Sequence, residues 1–365
     1  MSTNHAEGSP VRGFDERDWT ALLEAIRLGE CTPFLGAGAC GKTLLTSEEL
    51  ARKLASVVRY PLSDWDNLSR VSQFAAQDLG PVIAKCKVLE ILGILLGQSN
   101  YKLPHFSDEE PHSVLAQLPM KLYITTNYDD YMYRALRHHQ RNPDRQYCRW
   151  YDDSNGDKKE SPSWKELSVE RPLVFHLHGS NEVPASLVVT EDDYLDFMMN
   201  IGRQLNLVPP CIQGAIARSS LLFIGYGLRD WDFRVLHRSL VSKVMKSQKR
   251  PSFTVQLPPL EHKDGCTVSV YLNNGDKVTG TITKRQADSI SLNTCTIGSI
   301  KISQQDVCHV QVLDPAEQEL LVLEEIQSLL AKYHRRQIDV DVRIFWGTAQ
   351  AFVNELSTRC KSRIQ

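Results

Sequence analysis

The chain has 365 residues, and Lys+Arg 42 against Asp+Glu 44 leaves a formal net charge of −2, which gives no general attraction to nucleic acid or an anionic membrane. A 42% hydrophobic and 24% charged composition is that of a folded protein with a large core and excludes disorder along the whole length. The longest apolar runs, such as Leu221–Ile224, fall far short of the roughly 18–20 residues of a spanning helix, and Met1–Pro10 is polar without a signal-peptide stretch, so a soluble, cytoplasmic chain without membrane contact is expected.

Residues 1–12 read as a disordered lead-in to a Rossmann-like domain over 13–257. Trp19, Leu22, Leu23 and Ile26 recur at helical spacing and stop at Gly29. The apolar run Cys31–Leu35 then feeds Gly36-Ala37-Gly38, a strand followed by a glycine turn. Thr46 and Glu49 form a capping box for a helix at about Ser47–Tyr60, and apolar-periodic stretches make a helical subdomain over about 60–115. Three more apolar runs end in small or polar residues: Leu122–Ile124, Leu173–Leu177 and Leu221–Ile224. Strands without polar alternation, separated by helical patterns, predict a parallel sheet with helices on both faces. Ligands gather at the carboxyl ends of such strands, where these polar loops lie.

Phe253–Leu257 reads as a further strand of that sheet. From 262 to 312 the pattern changes to five short alternating strands with Asn274-Gly275-Asp276 as a hairpin turn. The rhythm resembles a small all-β Sm-like barrel, inserted before the chain returns to the Rossmann-like domain over 314–365 through a helix, the strand Val340–Trp346 and a final helix. Residues 265–312 carry a single aromatic, Tyr271, and four Lys/Arg, so assembly or partner docking is favoured for the insert over nucleic-acid binding. The basic stretch Arg134–Arg149 reads as a solvated face.

The first glycine loop permits two chemistries. Gly36-Ala37-Gly38-Ala39-Cys40-Gly41-Lys42-Thr43 matches the phosphate loop of ATP and GTP nucleotidases letter for letter, with Lys42 on phosphates and Thr43 on magnesium. No apolar strand ends in the metal-holding Asp such an enzyme needs, and the capping box starts the helix after Lys42-Thr43. The other reading is a dinucleotide loop, with Gly36 for the turn and Gly38 for close approach to a pyrophosphate. Thr125-Thr126-Asn127-Tyr128-Asp129 offers a carboxamide, which both donates and accepts, next to a helix-capping Asp129. His176 and His178 are read as lying on opposite sides of their strand, His176 packed and His178, beside Gly179, free to act as a general base. Gly225-Tyr226-Gly227 with Asp230 would floor a nucleoside site.

Taken together, these loops resemble the sirtuin-like family, in particular its bacterial antiphage-defence branch that hydrolyses NAD. The resemblance runs over about 18–257 and 314–359 and leaves the small β insert outside. It implies catalytic roles for Asn127, which orients the nicotinamide ribose and a water, and His178, the base. It implies NAD contacts from Gly36, Ala37, Gly38, Cys40, Thr126, Asp129, Gly179, Gly225, Tyr226, Gly227 and Asp230. The family pattern carries Ser where Cys40 stands. True deacylases add a Pro-Asp-Phe-Arg segment and a four-cysteine zinc ribbon, and here the nine cysteines form no C-x-x-C pair, so zinc is not expected. The implied activity is an NAD glycohydrolase, with NAD as substrate, acting as a homo-oligomer with a sensor partner such as a translocase-type ATPase. The alternatives are a P-loop nucleotidase and a non-catalytic NAD or ADP-ribose sensor.

Overall fold

The computed structural model describes residues 14–41, 43–151, 167–203, 207–226, 250–256, 267–286, 289–294, 298–312 and 342–364. Lys42, Gly227, Asp230 and the helix expected between Asp314 and His334 lie outside the described residues. Contacts divide the chain into one unit of 13–256 with 336–365, and a second of 257–335 with 1–12.

In the first unit, helix α1 (Glu16–Arg27) starts on a capping box formed by Asp15 and Asp18. Strand β1 (Cys31–Leu35) is buried throughout, as its unbroken apolar run requires. Helices α2 (Ser47–Val58), α3 (Leu68–Leu79), α4 (Pro81–Leu92) and α5 (Pro111–Ala116) follow before β2 (Leu122–Thr125). Thr46 and Glu49 close the expected box on α2, so that helix begins after the glycine loop, which itself forms a 3-10 turn at Ala37–Cys40. A phosphate loop would instead open a helix at Lys42-Thr43.

After β2 come α6 (Tyr131–His138), β3 (Asp144–Tyr147), β4 (Leu173–His176), α7 (Glu191–Arg203), α8 (Pro210–Arg218), β5 (Ser220–Ile224) and β6 (Ser252–Gln256). The unit closes with β12 (Val342–Trp346) and α9 (Ala349–Ile364). Seven strands pair in the order β12-β6-β5-β1-β2-β4-β3, all parallel. Trp19 of α1 stacks on Phe352 of α9 at 5.5 Å, and Leu22, Ile26, Val353 and Leu356 join the same core. A second core joins Leu54, Val71 and Leu89 of the helical insertion to Cys40 and Tyr131, so the glycine turn is packed against that subdomain.

The reading of Arg134–Arg149 as a solvated face holds for Arg137, His138 and Arg149, which are exposed, but the fold corrects it for Arg141 and Arg145. Strand β3 is a short polar edge strand paired with β4, which hydrophobic patterning does not detect. Arg141 donates to the carbonyls of Ala116, Leu118, Met120 and Val169, and the Arg145 side chain is only 9% exposed. Both guanidiniums satisfy oxygens inside the fold, not solvent.

The second unit holds an antiparallel five-stranded sheet of β7 (Thr267–Leu272), β8 (Lys277–Gln286), β9 (Ser289–Thr294), β10 (Gly298–Ser303) and β11 (Val307–Val312), ordered β10-β9-β8-β7-β11. The turn at Asn274-Gly275-Asp276 joins β7 to β8, and Val268, Val270, Ile290, Leu292 and Ile302 form its core.

The end of β5 fixes how closely two loops approach. Gly225 has φ +80, and a Cβ there would lie 2.2 Å from the backbone nitrogen of Ala39. Gly36 and Gly38 face the Gly225 backbone in return, where a Cβ would sit 2.6 and 2.9 Å away. Gly225→Ala is therefore expected to cost on the order of 2–4 kcal/mol, from left-handed strain plus backbone overlap. Gly97→Ala, at φ +85 with nothing within 4 Å, should lose only about 1 kcal/mol. Thermal unfolding of the two variants measures the difference, and equal losses would refute the contact.

Candidate active site

Neighbouring loops at the carboxyl ends of β1, β2 and β5 line a cleft, the place where ligands gather on a parallel sheet. Of the residues the resemblance points to, Gly36, Ala37, Cys40, Thr126, Asn127, Asp129, Gly225 and Tyr226 line it. Leu44, Leu50, Leu92 and Ile94 of the helical insertion supply an apolar wall.

Asn127 is held at the centre. Its backbone N–H donates to Thr125 Oγ1 at 3.0 Å, and its Nδ2 donates to the Gly36 carbonyl at 3.0 Å and lies 3.3 Å from Cys40 Sγ. The carboxamide thus bridges the ends of β1 and β2, with both donors committed and Oδ1 as its acceptor. Thr126 Oγ1 donates to the Tyr226 hydroxyl, which donates to the Leu35 carbonyl, each at 3.0 Å. Asp129 Oδ1 accepts from the Tyr131 N–H at 2.9 Å at the start of α6, but the N-cap position falls on Asp130, whose side chain makes no capping bond, so Asp129 is not the cap expected from sequence. Its Oδ2 accepts from Cys40 Sγ at 3.5 Å. Burial raises the Asp129 carboxyl above its usual range, and burial together with Asp129 raises the Cys40 thiol.

The glycine turn differs from a simple amide cradle. The N–H groups of Gly36, Gly38 and Ala39 already donate to the carbonyls of Ile224, Gly225 and Gly36. The small residues here serve the backbone approach of Gly225, and their amides are committed by it.

The histidines depart further from expectation. Residues two apart in a strand share a face, so pleating does not put His176 and His178 on opposite sides. They part because β4 ends at His176 and the chain turns at Gly179, where φ is +87 and a Cβ would meet the Ser186 carbonyl at 2.2 Å. His176 Nδ1 donates to the Asn127 carbonyl at 3.1 Å, and its Nε2 accepts from Arg145 Nε at 3.0 Å. Arg145 also donates to Ser180 Oγ and Asn181 Oδ1, both at 2.8 Å. Through His176, this guanidinium ties the Asn127 loop to the loop after β4. Sequence reasoning passed over Arg145 because it stands in a run of basic residues.

His178 is 1% exposed and lies outside the lining of the cleft, so the expected free access is not found. Phe197 and Tyr194 of α7 cover its ring edge-on, at 4.9 and 5.7 Å. Its Nε2 is buried with no hydrogen-bond partner among the described residues, and desolvation pushes its pKa down to about 3. His176 falls to about 3 as well, through burial and then the Arg145 charge. Gly38 packs against the Gly225 backbone and Gly179 against the Ser186 backbone, and neither lines the cleft.

Comparison with known proteins adds three observations. Residues 121–270 match the family described as SIR2-like domain, a stretch that includes Asn127, His178 and Gly225. The chain is similar to the NAD(+) hydrolase ThsA of Enterococcus faecium, 23% identical over 325 residues, or 86% of this chain and 58% of that one. It is also similar to proteins of the same name from Cytobacillus dafuensis, 30% identical over 143 residues (38% of this chain, 26% of that one), and Bacillus cereus, 24% identical over 145 residues (39% and 26%). The chain spans 58% of the Enterococcus protein and about a quarter of the other two.

Two measurements probe this geometry. Both histidines titrate lower in the fold than the ordinary 6.5, so their contribution to stability is complete above that value and is lost as pH falls through 6.5 towards about 3. Denaturant unfolding should show stability falling below pH 6.5 by up to about 1.4 kcal/mol per pH unit for each histidine. His178→Leu should make that decline shallower by one proton's share, and an unchanged slope would contradict the burial. Arg145→Ala strips a donor from His176, Ser180 and Asn181 and should cost about 2–4 kcal/mol, with Arg145→Lys recovering little of it because an ammonium lacks the planar fork.

Proposed function

We propose that this chain, whose residues 121–270 match the SIR2-like domain family, is an NAD glycohydrolase that cleaves the nicotinamide–ribose bond with water. The observation that carries the reading is the Asn127 carboxamide, fixed to the Gly36 carbonyl inside a cleft at the carboxyl ends of β1, β2 and β5. The resemblance to three NAD(+) hydrolases supports it.

In this reading the nicotinamide ribose lies against Asn127, whose Oδ1 accepts from a ribose hydroxyl or the attacking water. The pyrophosphate follows the Gly36–Cys40 turn, with Thr126 and Asp129 beside it, and the adenosine end runs towards Gly225–Gly227 and Asp230. The C1′–N bond breaks through an oxocarbenium-like transition state, nicotinamide leaves with the bonding electron pair, and water oxygen bonds C1′. His178 takes the water proton. The products are nicotinamide, ADP-ribose and a proton. Catalysis is chiefly positioning of sugar and water in a shielded site. Desolvation keeps His178 neutral at pH 7 and so able to accept a proton, while α7 covers it. Displacement of α7 is then the step that switches hydrolysis on, which fits an enzyme held inactive until it is needed.

The wider role we propose is a regulated NAD-depleting effector of antiphage defence in the cytoplasm. It acts as a homo-oligomer with a sensor partner such as a translocase-type ATPase. The five-stranded sheet of the second unit folds as an Sm-like barrel and docks that assembly.

Incubation of the purified protein with NAD, alone and with candidate activators, should release nicotinamide by chromatography. Asn127→Ala and His178→Ala should each lower the rate by about 100-fold or more, and Lys42→Ala should leave it intact. NAD that survives equally with wild type and both variants under every activating condition overturns the hydrolase. Magnesium-dependent ATP turnover lost in Lys42→Ala would establish the nucleotidase instead. Calorimetric NAD binding without nicotinamide release would establish the sensor.

A further inference from the structure

We propose that Cys40, His112 and Asp129 form a binding site for one divalent transition-metal ion of the zinc type, set into the wall of the cleft. Three separate elements bring these residues together: the turn after β1, the first turn of α5 and the segment before α6. One ligand atom from each lies within 4.8 Å of the other two, and all three residues are buried. Ligands around a tetrahedral zinc ion stand about 3.3–3.8 Å apart, so small side-chain rotations close the gap.

The donor set chooses the ion. A thiolate, an imidazole and a carboxylate suit zinc or cobalt, whereas magnesium and calcium call for oxygen ligands alone. The surroundings suit it too. Glu110 Oε1 lies 2.6 Å from His112 Nδ1, which fixes the tautomer and leaves Nε2 as the metal donor. Asn127 Nδ2, 3.3 Å from Cys40 Sγ, supplies a hydrogen bond that a metal-bound thiolate would accept.

Charge gives an independent reason. Glu110 and His112 are paired with each other, while the buried Asp129 carboxylate is held by the uncharged Cys40 thiol and Tyr131 N–H. A divalent ion balances one thiolate and one carboxylate. On binding, the metal–sulfur bond replaces the S–H bond and the metal–nitrogen bond replaces the N–H bond of a protonated His112 Nε2, and these protons pass to solvent. Cys40 and Asp129 both line the cleft, so the ion enters from there and water completes its coordination. This site shares nothing with a four-cysteine ribbon, since it draws a single cysteine from the chain. Where the cleft holds NAD, a metal at Cys40 competes with it, but the site stands on its own chemistry.

Titrating chelator-treated full-length protein with Co²⁺ tests the site without reference to NAD turnover. One equivalent should bring up thiolate-to-cobalt charge-transfer absorption together with the visible bands of tetrahedral cobalt. Cys40→Ser and His112→Gln should each weaken binding by about 100-fold or more while unfolding at temperatures near wild type. No thiolate band in wild type, or a band of full intensity in both variants, overturns the site. Should either variant fail to fold, alkylation of wild type by iodoacetamide, mapped by peptide mass spectrometry, gives the answer. Zn²⁺ should slow labelling of Cys40 selectively, and an unchanged rate at Cys40 overturns the proposal.

Discussion

Backbone-to-backbone contact between the Gly36–Gly38 turn and Gly225 is the constraint from which the rest of the cleft follows. Gly36 N–H donates to the Ile224 carbonyl at 2.9 Å and Gly38 N–H to the Gly225 carbonyl at 3.0 Å, so two strand ends are joined without an intervening side chain. With those loops closed on each other, the Gly36 carbonyl is placed where Asn127 Nδ2 reaches it. Cys40, at the far end of the same turn, meets Asp129 and the core of the helical insertion. Any Cβ at this junction would force the strand ends apart and release the carboxamide with them.

A second theme is the balance between polarity and burial around β4. His176 is buried and satisfied on both ring nitrogens, by a carbonyl and by a guanidinium. His178 is equally buried, and its Nε2 finds no partner among the described residues beneath two aromatic rings. A buried imidazole nitrogen with no partner is costly, and such costs persist where function uses them. The helix over His178 is tied down at its first turn, where Asp193 pairs with the buried Lys85 at 2.7 Å and accepts from the backbone N–H groups of Val189 and Thr190. In the proposed mechanism, the opening would begin beyond that anchor, in the part of α7 that carries Phe197.

Legibility from sequence followed burial. Strands β1, β2, β4, β5 and β6 are buried along nearly their whole length, and unbroken apolar runs announce them. Strand β3, with Asp144, Arg145, Gln146 and Tyr147, has no apolar face and was invisible to that test. Arg145 and Arg141 looked like solvated charge for the same reason: a guanidinium that serves buried carbonyls carries the same letter as one in water. His112 gave no signal, because Cys40 and Asp129, which stand beside it, come from other elements.

The amino-acid sequence alone determined the succession of buried strands and polar strand-end loops, the helix start at Thr46, and the residue types offered at each loop. These are local properties, set by hydrophobic period, capping chemistry and turn propensity, and they need no knowledge of distant neighbours. Tertiary structure decided which of those residues share a cleft, that His178 is sealed under α7 while Asn127 is not, and that Cys40 stands beside Asp129 and His112. Those outcomes depend on how helices pack over strand ends. Packing is settled by the shape and volume of the whole core, a quantity that no short stretch of sequence contains.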